Sequence, residues 1–407
     1  MHIAIVGGGA VGLCTAWHLR DSGSEVTVFD LAQPGNGASW GNAGQILPAK
    51  AVPLSEPGNL KFALKSLIKR NSPITAPRTL DLHMLNFFRH FMLNSTPTRH
   101  NDGSRAMLSL GERAFAEFEN MEKKGLDTTR VKAPFTAAFT KKSESLQMKH
   151  ELAEVEKFLG PLNLEVLSQA ELLRREPLLD DRFTFGLQLN NQSYLNPPAF
   201  IKNLVSSLTS SGVVFKNNSQ VVKVKGFNDH VELLLTGGKS VKFDHVVIAT
   251  GAWLNDLTDE FGVKHPVVAG IGYSLAVDVP IQTQGMLYFP EARVATTNYG
   301  NRLRMSTFMQ MSRAGTPPNS RRTARLLNLA KTAIPKAKWS TANEFWSGGR
   351  PLSGDGKPLI GKTAHPRVHV NSGHGMWGVT LAPVSAKLIS DLILNKGTIS
   401  KDLDPLR

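Results

Sequence analysis

The chain has 407 residues, 41% of them hydrophobic, with 35 glycines and a single cysteine; these proportions exclude a disordered, collagenous or disulfide-stapled protein and leave room for two or three domains with buried cores. Lys and Arg outnumber Asp and Glu by 47 to 33, a net charge of +14, a field that attracts nucleic acid, anionic lipid or small acids without choosing among them. No run approaches the roughly 18 apolar residues of a membrane span, and the N-terminus enters an apolar strand pattern at once, so no leader is expected and a reducing cytoplasm is the expected setting.

Residues 2–6 predict a strand, Gly7-Gly8-Gly9-Ala10-Val11-Gly12 follows, residues 13–19 have helical spacing, and residues 25–30 predict a second strand. This is one βαβ unit. In the pattern Gly7-x-Gly9-x-x-Gly12 the first glycine permits a tight turn, the second lets the backbone approach a pyrophosphate, and the third lets the helix pack closely on the strand. The helix N-terminus then stabilises phosphate charge. Asp30, closing the second strand, is placed to accept hydrogen bonds from ribose hydroxyls and disfavours a 2′-phosphate, which leaves NAD and FAD open. Cys14 falls on the crossover helix as a small packing residue. Next, Gly37-Ala38-Ser39-Trp40-Gly41-Asn42-Ala43-Gly44-Gln45 carries too many small residues for core packing and suits a loop pressed against a flat ligand.

From 48 to about 98 the texture changes to Pro-punctuated segments with two basic, apolar helix candidates at 59–70 and 82–93. In the first, Leu60, Leu64, Leu67 and Ile68 share one face and Lys61, Lys65 and Lys69 another, a pattern that suits either a helix docked on the core or one lying on anionic lipid. Residues 104–124 and 143–159 predict charged amphipathic helices around an apolar stretch at 133–140. A helix follows Pro197-Pro198, and strands are predicted at 213–224, 231–236 and 243–249, the last running into Thr250-Gly251. Residues 266–310 are strand-rich, with Met305, Met309 and Met311 alternating along one strand, and 319–334 are helical. Trp346-Ser347-Gly348-Gly349-Arg350-Pro351, followed by Asp355-Gly356-Lys357-Pro358, sets one Arg beside a rigid turn. Last, Asn371-Ser372-Gly373-His374-Gly375-Met376-Trp377-Gly378-Val379-Thr380 places a glycine-rich strand end before a helix at 382–394, able to offer backbone N–H groups and a positive dipole to an electron-rich ring carbonyl.

Together these segments resemble the D-amino-acid oxidase superfamily of FAD-dependent amine oxidoreductases, most closely the bacterial D-amino-acid dehydrogenase small subunits, over essentially the whole chain and including the two insertion helices. The resemblance implies an α/β protein with an α+β second domain. A Rossmann-like FAD-binding domain would be assembled from 1–47, 195–256 and 345–407. A mixed β-sheet substrate domain would come from 48–194 and 257–344, with the basic insertion at about 57–98. FAD would be held non-covalently by Gly7, Gly9, Gly12, Asp30, Ser39, Asn42, Ala43, Gly44, Val221, Gly251, Gly373, His374, Gly375, Gly378, Val379 and Thr380, with no metal. Arg350 matches the Arg that pairs with the substrate carboxylate, and Tyr273 is a candidate substrate-side hydroxyl; a guanidinium fork would fix which face of Cα meets the flavin.

The implied reaction is oxidative deamination of a small amino acid, a D-amino acid favoured, by hydride transfer from Cα to flavin N5, with electrons passing to a quinone or another acceptor. The alternatives are a glycine- or sarcosine-type oxidase using dioxygen and a tRNA-modifying flavoprotein. The basic residues are spread along the chain rather than gathered in an RNA module, so nucleic acid is not expected as a partner. A membrane contact through 57–98 would place the protein at the inner face of the cytoplasmic membrane. Ile271-Gly272-Tyr273-Ser274 stands where relatives often have Arg-Gly-Tyr-Ser, and residues 304–310 depart from their glycine-rich strand, so substrate class is the least fixed part.

Overall fold

A computed structural model of the chain describes residues 1–58, 74–75 and 81–407. The basic helix expected at 59–70 lies outside the described residues. The elements that shape the site are β1 (His2–Val6), α1 (Ala10–Asp21), β2 (Glu25–Phe29), β3 (His245–Ile248), β4 (Val267–Asp278), β5 (Arg302–Ser312), β6 (Lys338–Ser353), β7 (Val368–Ser372) and α2 (Gly378–Ile393).

β1 reads as an unbroken apolar run because it is a central strand, paired in parallel with β2 and β3 on its two sides, with Ile3, Ala4 and Ile5 fully buried. The first sheet runs Leu359–Lys362, β7, β3, β1, β2, Val214–Lys216, and is parallel except for its first strand. α1 crosses from β1 to β2 and packs on α2 in one core with Leu13, Ala16, Leu381 and Val384. The close approach of α1 to the end of β1 requires Gly12, where a Cβ would lie 1.9 Å from the Gly7 carbonyl oxygen.

A ten-stranded second sheet runs β6, β4, β5, Val294–Tyr299, Met286–Phe289, Val131–Phe139, Phe185–Tyr194, Gln45–Ile46, with Ile74–Thr75 joined to β5 and Leu164–Ser168 to Phe185–Tyr194. Along β4 the period of two sends Ile271, Tyr273, Leu275 and Val277 into a core closed by the helix Ser320–Ala333. Gly270 faces the other way, toward Met309 of β5 and Leu352 of β6, and Gly272 toward Arg350 of β6.

Several boundaries differ from expectation. The glycine- and proline-rich stretch from Trp346, expected to set Arg350 beside a rigid turn, instead continues β6 along β4 as far as Ser353, with Gly270 opposite Arg350 and Ala269 opposite Pro351. β6 is an edge strand, where the N–H that proline lacks has no ladder partner to lose. The expected domain boundary at 345 therefore falls inside a strand of the second sheet, and Gln45–Ile46, expected with the nucleotide domain, pairs with that sheet as well. α2 begins at Gly378 rather than 382. Pro383 lies inside it instead of marking its first turn, because residues 378–381 continue directly from the 3₁₀ turn Gly375–Trp377. The strand expected over 213–224 splits at Asn218, whose φ is 51, into Val214–Lys216 and Val221–Gly226.

Candidate active site

At the end of β1 the chain turns through Gly7 at φ 111, and a Cβ there would come within 2.4 Å of the Ala249 carbonyl oxygen, so glycine alone fits. The turn opens into a cavity of about 390 Å³ at the carboxyl ends of the parallel strands, where ligands of open α/β sheets bind. Gly7, Gly9, Asp30, Ser39, Asn42, Val221, Gly251, His374, Gly375, Gly378 and Val379 of the expected set line it. Ser39 Oγ accepts the Ala10 N–H at 3.0 Å, drawing the small-residue loop over the first turn of α1. Asp30 accepts the N–H of Gly8 at 2.6 Å on one oxygen and of Ala32 at 2.8 Å on the other. Burial raises its carboxyl above the ordinary value, and those two bonds offset part of the rise. Each oxygen keeps acceptor capacity for a ribose hydroxyl.

Buried polar groups are normally paired, yet on this wall both ring nitrogens of His374, Thr250 Oγ1 and Asn371 Oδ1 have no partner among the described residues. Burial holds the His374 imidazole down at about 3, so it is neutral at physiological pH. No side chain caps α2, and Gly378 and Val379 of its first turn line the cavity, which sets the positive end of the helix dipole against it. A glycine cradle, a buried carboxylate, this helix start and orphaned ring, hydroxyl and amide atoms form a donor and acceptor set that fits FAD.

Other expected residues act from behind this wall. Gly12 sets the helix packing. Gly44, at φ 74, donates its N–H to Asn42 Oδ1 at 2.7 Å, and Gly373, at φ 76, shapes the end of β7. Thr380 donates to the Gln45 carbonyl at 3.1 Å. Ala43 faces a second cavity. Trp253, Asp256 and Leu257 also line the first cavity and were not expected; they follow β3 in short helical turns that carry no motif. Gly349, Pro351, Asn371 and Ser372 join them from motifs that were recognised only as segments.

Tyr273 does not join the site. It lies on the core face of β4, 1% exposed, with its hydroxyl accepting the Asn319 N–H at 3.0 Å. Of the alternating methionines, Met305 is core and Met309 lines the second cavity. Cys14 is buried, and burial pushes its thiol up, as suits an inert packing residue.

The second cavity, of about 380 Å³, shares Asn42 and Arg350 with the first. Leu47, Phe135, Phe139, Met309 and Trp377 give it apolar walls, and Lys50, Glu56, Glu151 and Arg293 add charge. Arg350 donates from Nη1 to the Phe308 carbonyl at 2.8 Å and from Nη2 to Ser306 Oγ at 3.3 Å. Burial lowers its guanidinium to about 10, so it stays cationic at neutral pH, and no carboxylate among the described residues pairs with it. Two of its five N–H groups are engaged, which leaves a fork for a ligand. An uncompensated buried cation is costly, and an anion entering the second cavity relieves it.

The sequence model of the FAD dependent oxidoreductase family matches residues 2–392. A D-amino acid dehydrogenase of Vibrio vulnificus (strain YJ016) is 26% identical over 406 residues, covering 97% of this chain and 96% of the relative. Among solved structures, glycine oxidase from Geobacillus kaustophilus matches with a TM-score of 0.74 at 22% identity, over 97% of this chain and 95% of its own. L-proline dehydrogenase from P. horikoshii matches with a TM-score of 0.73 at 16% identity, over 100% of this chain and 97% of its own. These likenesses establish a shared fold.

Proposed function

Because the chain belongs to the FAD-dependent oxidoreductases, we propose that it oxidises the amine of a small amino acid, a D-amino acid favoured, and passes the electrons to a quinone or another acceptor. The observation that carries this reading is Arg350, an uncompensated buried cation placed where the cofactor cavity meets a second cavity of about 380 Å³. The near full-length similarity to a D-amino acid dehydrogenase supports the substrate class. Bound FAD supplies a two-electron acceptor for the hydrogen on the substrate Cα. Arg350 grips the carboxylate in two-pronged fashion and so sets the face that Cα presents. The apolar walls of the second cavity exclude water, and orientation supplies much of the acceleration. The imine product then hydrolyses to a 2-oxo acid and ammonia.

The test is an anaerobic survey of D- and L-amino acids, proline derivatives, glycine and sarcosine, following bleaching of the flavin band. Fast bleaching by D-amino acids is expected. Bleaching by none of them, or equal bleaching by amines that lack a carboxylate, would overturn the reading.

The acceptor is proposed to be met at an anionic membrane surface. In support, the helix Leu82–Asn94 buries Met84, Phe87 and Phe91 against the protein, while Leu82 is 85% exposed and Leu85, Met92 and Leu93 are about half exposed. Lysines precede it in the sequence at 61, 65 and 69. Each cation near such a surface is worth about 1 kcal/mol. Replacing Lys61 and Lys65 with Gln is therefore expected to weaken partitioning onto anionic vesicles roughly thirtyfold, with FAD content unchanged. Sedimentation that does not change would assign the segment to the protein's own surface.

A further inference from the structure

β4 and β5 pair regularly except at one point. Ile271 stands opposite Gln310 and Tyr273 opposite Thr307, so Phe308 and Met309 together face Gly272. This is a β-bulge, with one extra residue on β5. Phe308 adopts φ 69, a left-handed conformation that glycine takes readily and an aromatic residue rarely does. Its ring is packed edge-on against Tyr273 with centroids 6.1 Å apart, and the Arg322 and Arg325 guanidinium groups lie 5.6 and 5.9 Å from the ring centre. The hydrogen bond from Asn319 fixes Tyr273 in turn. Strain of this kind persists where the surroundings over-determine it, and it gathers at functional sites.

The bulge turns the Phe308 carbonyl toward Arg350 Nη1. Across the ladder, a Cβ at Gly272 would lie 2.2 Å from Arg350 Nη1, 2.4 Å from Cζ and 2.5 Å from Nη2. The guanidinium therefore lies flat on bare backbone. We propose that Gly272 and the Phe308 bulge are positioning residues for Arg350: the bulge carbonyl and the Ser306 hydroxyl aim the fork, and the missing side chain at 272 gives it a floor. Tyr273 acts one layer further out by holding the bulge. The proposal rests on the carboxylate-binding reading of Arg350.

The test is a double-mutant cycle of Gly272→Ala with Arg350→Met, read by stopped-flow anaerobic flavin reduction. The two probes are the amino acid that bleaches fastest in the survey and its decarboxylated amine. Gly272→Ala is expected to slow second-order reduction by the amino acid at least tenfold and to leave the amine within twofold. In the Arg350→Met background it should have no further effect. Ser306→Ala, which removes one hydroxyl and adds no bulk, should show the same pattern at three- to tenfold, and it carries the test if Gly272→Ala fails to retain FAD. Equal slowing of both probes, equal slowing in both backgrounds, or no slowing would overturn the positioning role. Failure of the underlying reading is separately visible, as an Arg350→Met variant that the amino acid reduces as fast as the parent.

Discussion

Arg350→Met is expected to lower kcat/KM for carboxylate-bearing amino acids by about thirtyfold to several thousandfold, and Arg350→Lys by less. Removing one partner of a desolvated, hydrogen-bonded charge pair costs about 2 to 5 kcal/mol, which sets that range. Lysine restores charge without the planar fork, and its ammonium cannot reach the Phe308 carbonyl and the Ser306 hydroxyl while also holding a carboxylate two-pronged. FAD content should hold, because the glycine turn and Asp30 lie on other strands. Steady-state kinetics with an amino acid and its decarboxylated amine provide the check. A loss shared equally by the amine, or a loss of FAD, would assign Arg350 to joining β6 to β5.

Glu176→Gln is expected to stabilise the protein at alkaline pH by up to about 5 kcal/mol and to leave it unchanged near pH 4. Glu176 is fully buried; Oε2 accepts the Gln284 N–H at 3.3 Å, and Oε1 has no partner among the described residues. Burial pushes its carboxyl from 4.5 up to about 8 against that single bond. The folded state thus holds a proton that the unfolded state has released. Stability falls as pH rises from about 4.5, and the loss is complete above about 8. Each pH unit in that window is worth about 1.4 kcal/mol. Glutamine accepts the same N–H and never ionises, and the group it leaves unmatched replaces one already unmatched in the acid. Denaturant midpoints for both proteins from pH 4 to pH 9 should diverge steadily. Parallel curves would show that Glu176 is not the proton-holding group.

The nucleotide half of the site was legible because its chemistry is local. Gly7, Gly9, Gly12 and Asp30 sit within one βαβ unit, and the turn, helix start and strand end that they serve follow from chain order alone. The role proposed for Arg350 required the resemblance, since its Gly-Gly-Arg-Pro context reads as a turn, while in the fold it is an edge strand that tolerates proline. Tyr273 was misassigned because which face of β4 points to the cavity depends on β5 and β6, which no local pattern near residue 273 reveals. The bulge at Phe308 was equally hidden. A left-handed aromatic residue runs against local preference, and tertiary contacts, those to Tyr273, Arg322 and Arg325 among them, hold it there. Asp256 and Leu257 reach the cofactor cavity through a four-residue helix that leaves no periodic signature.

Gly349, Arg350 and Pro351 are consecutive in the chain, and all three border the cofactor cavity while Arg350 alone also opens onto the second. In the proposed reaction the residue that anchors the carboxylate is thus flanked in its own strand by two residues of the cofactor wall, so the anchor stands a few covalent bonds from that wall. The regiochemistry of the proposed reaction follows from that ruler. Substrates with longer or bulkier side chains should change affinity through the walls of the second cavity, yet each should lose hydrogen from the carbon next to its carboxylate. A β- or γ-amino acid, whose amine-bearing carbon falls one or two bonds beyond the mark, should bind to the same arginine and remain unoxidised, acting as a competitive inhibitor.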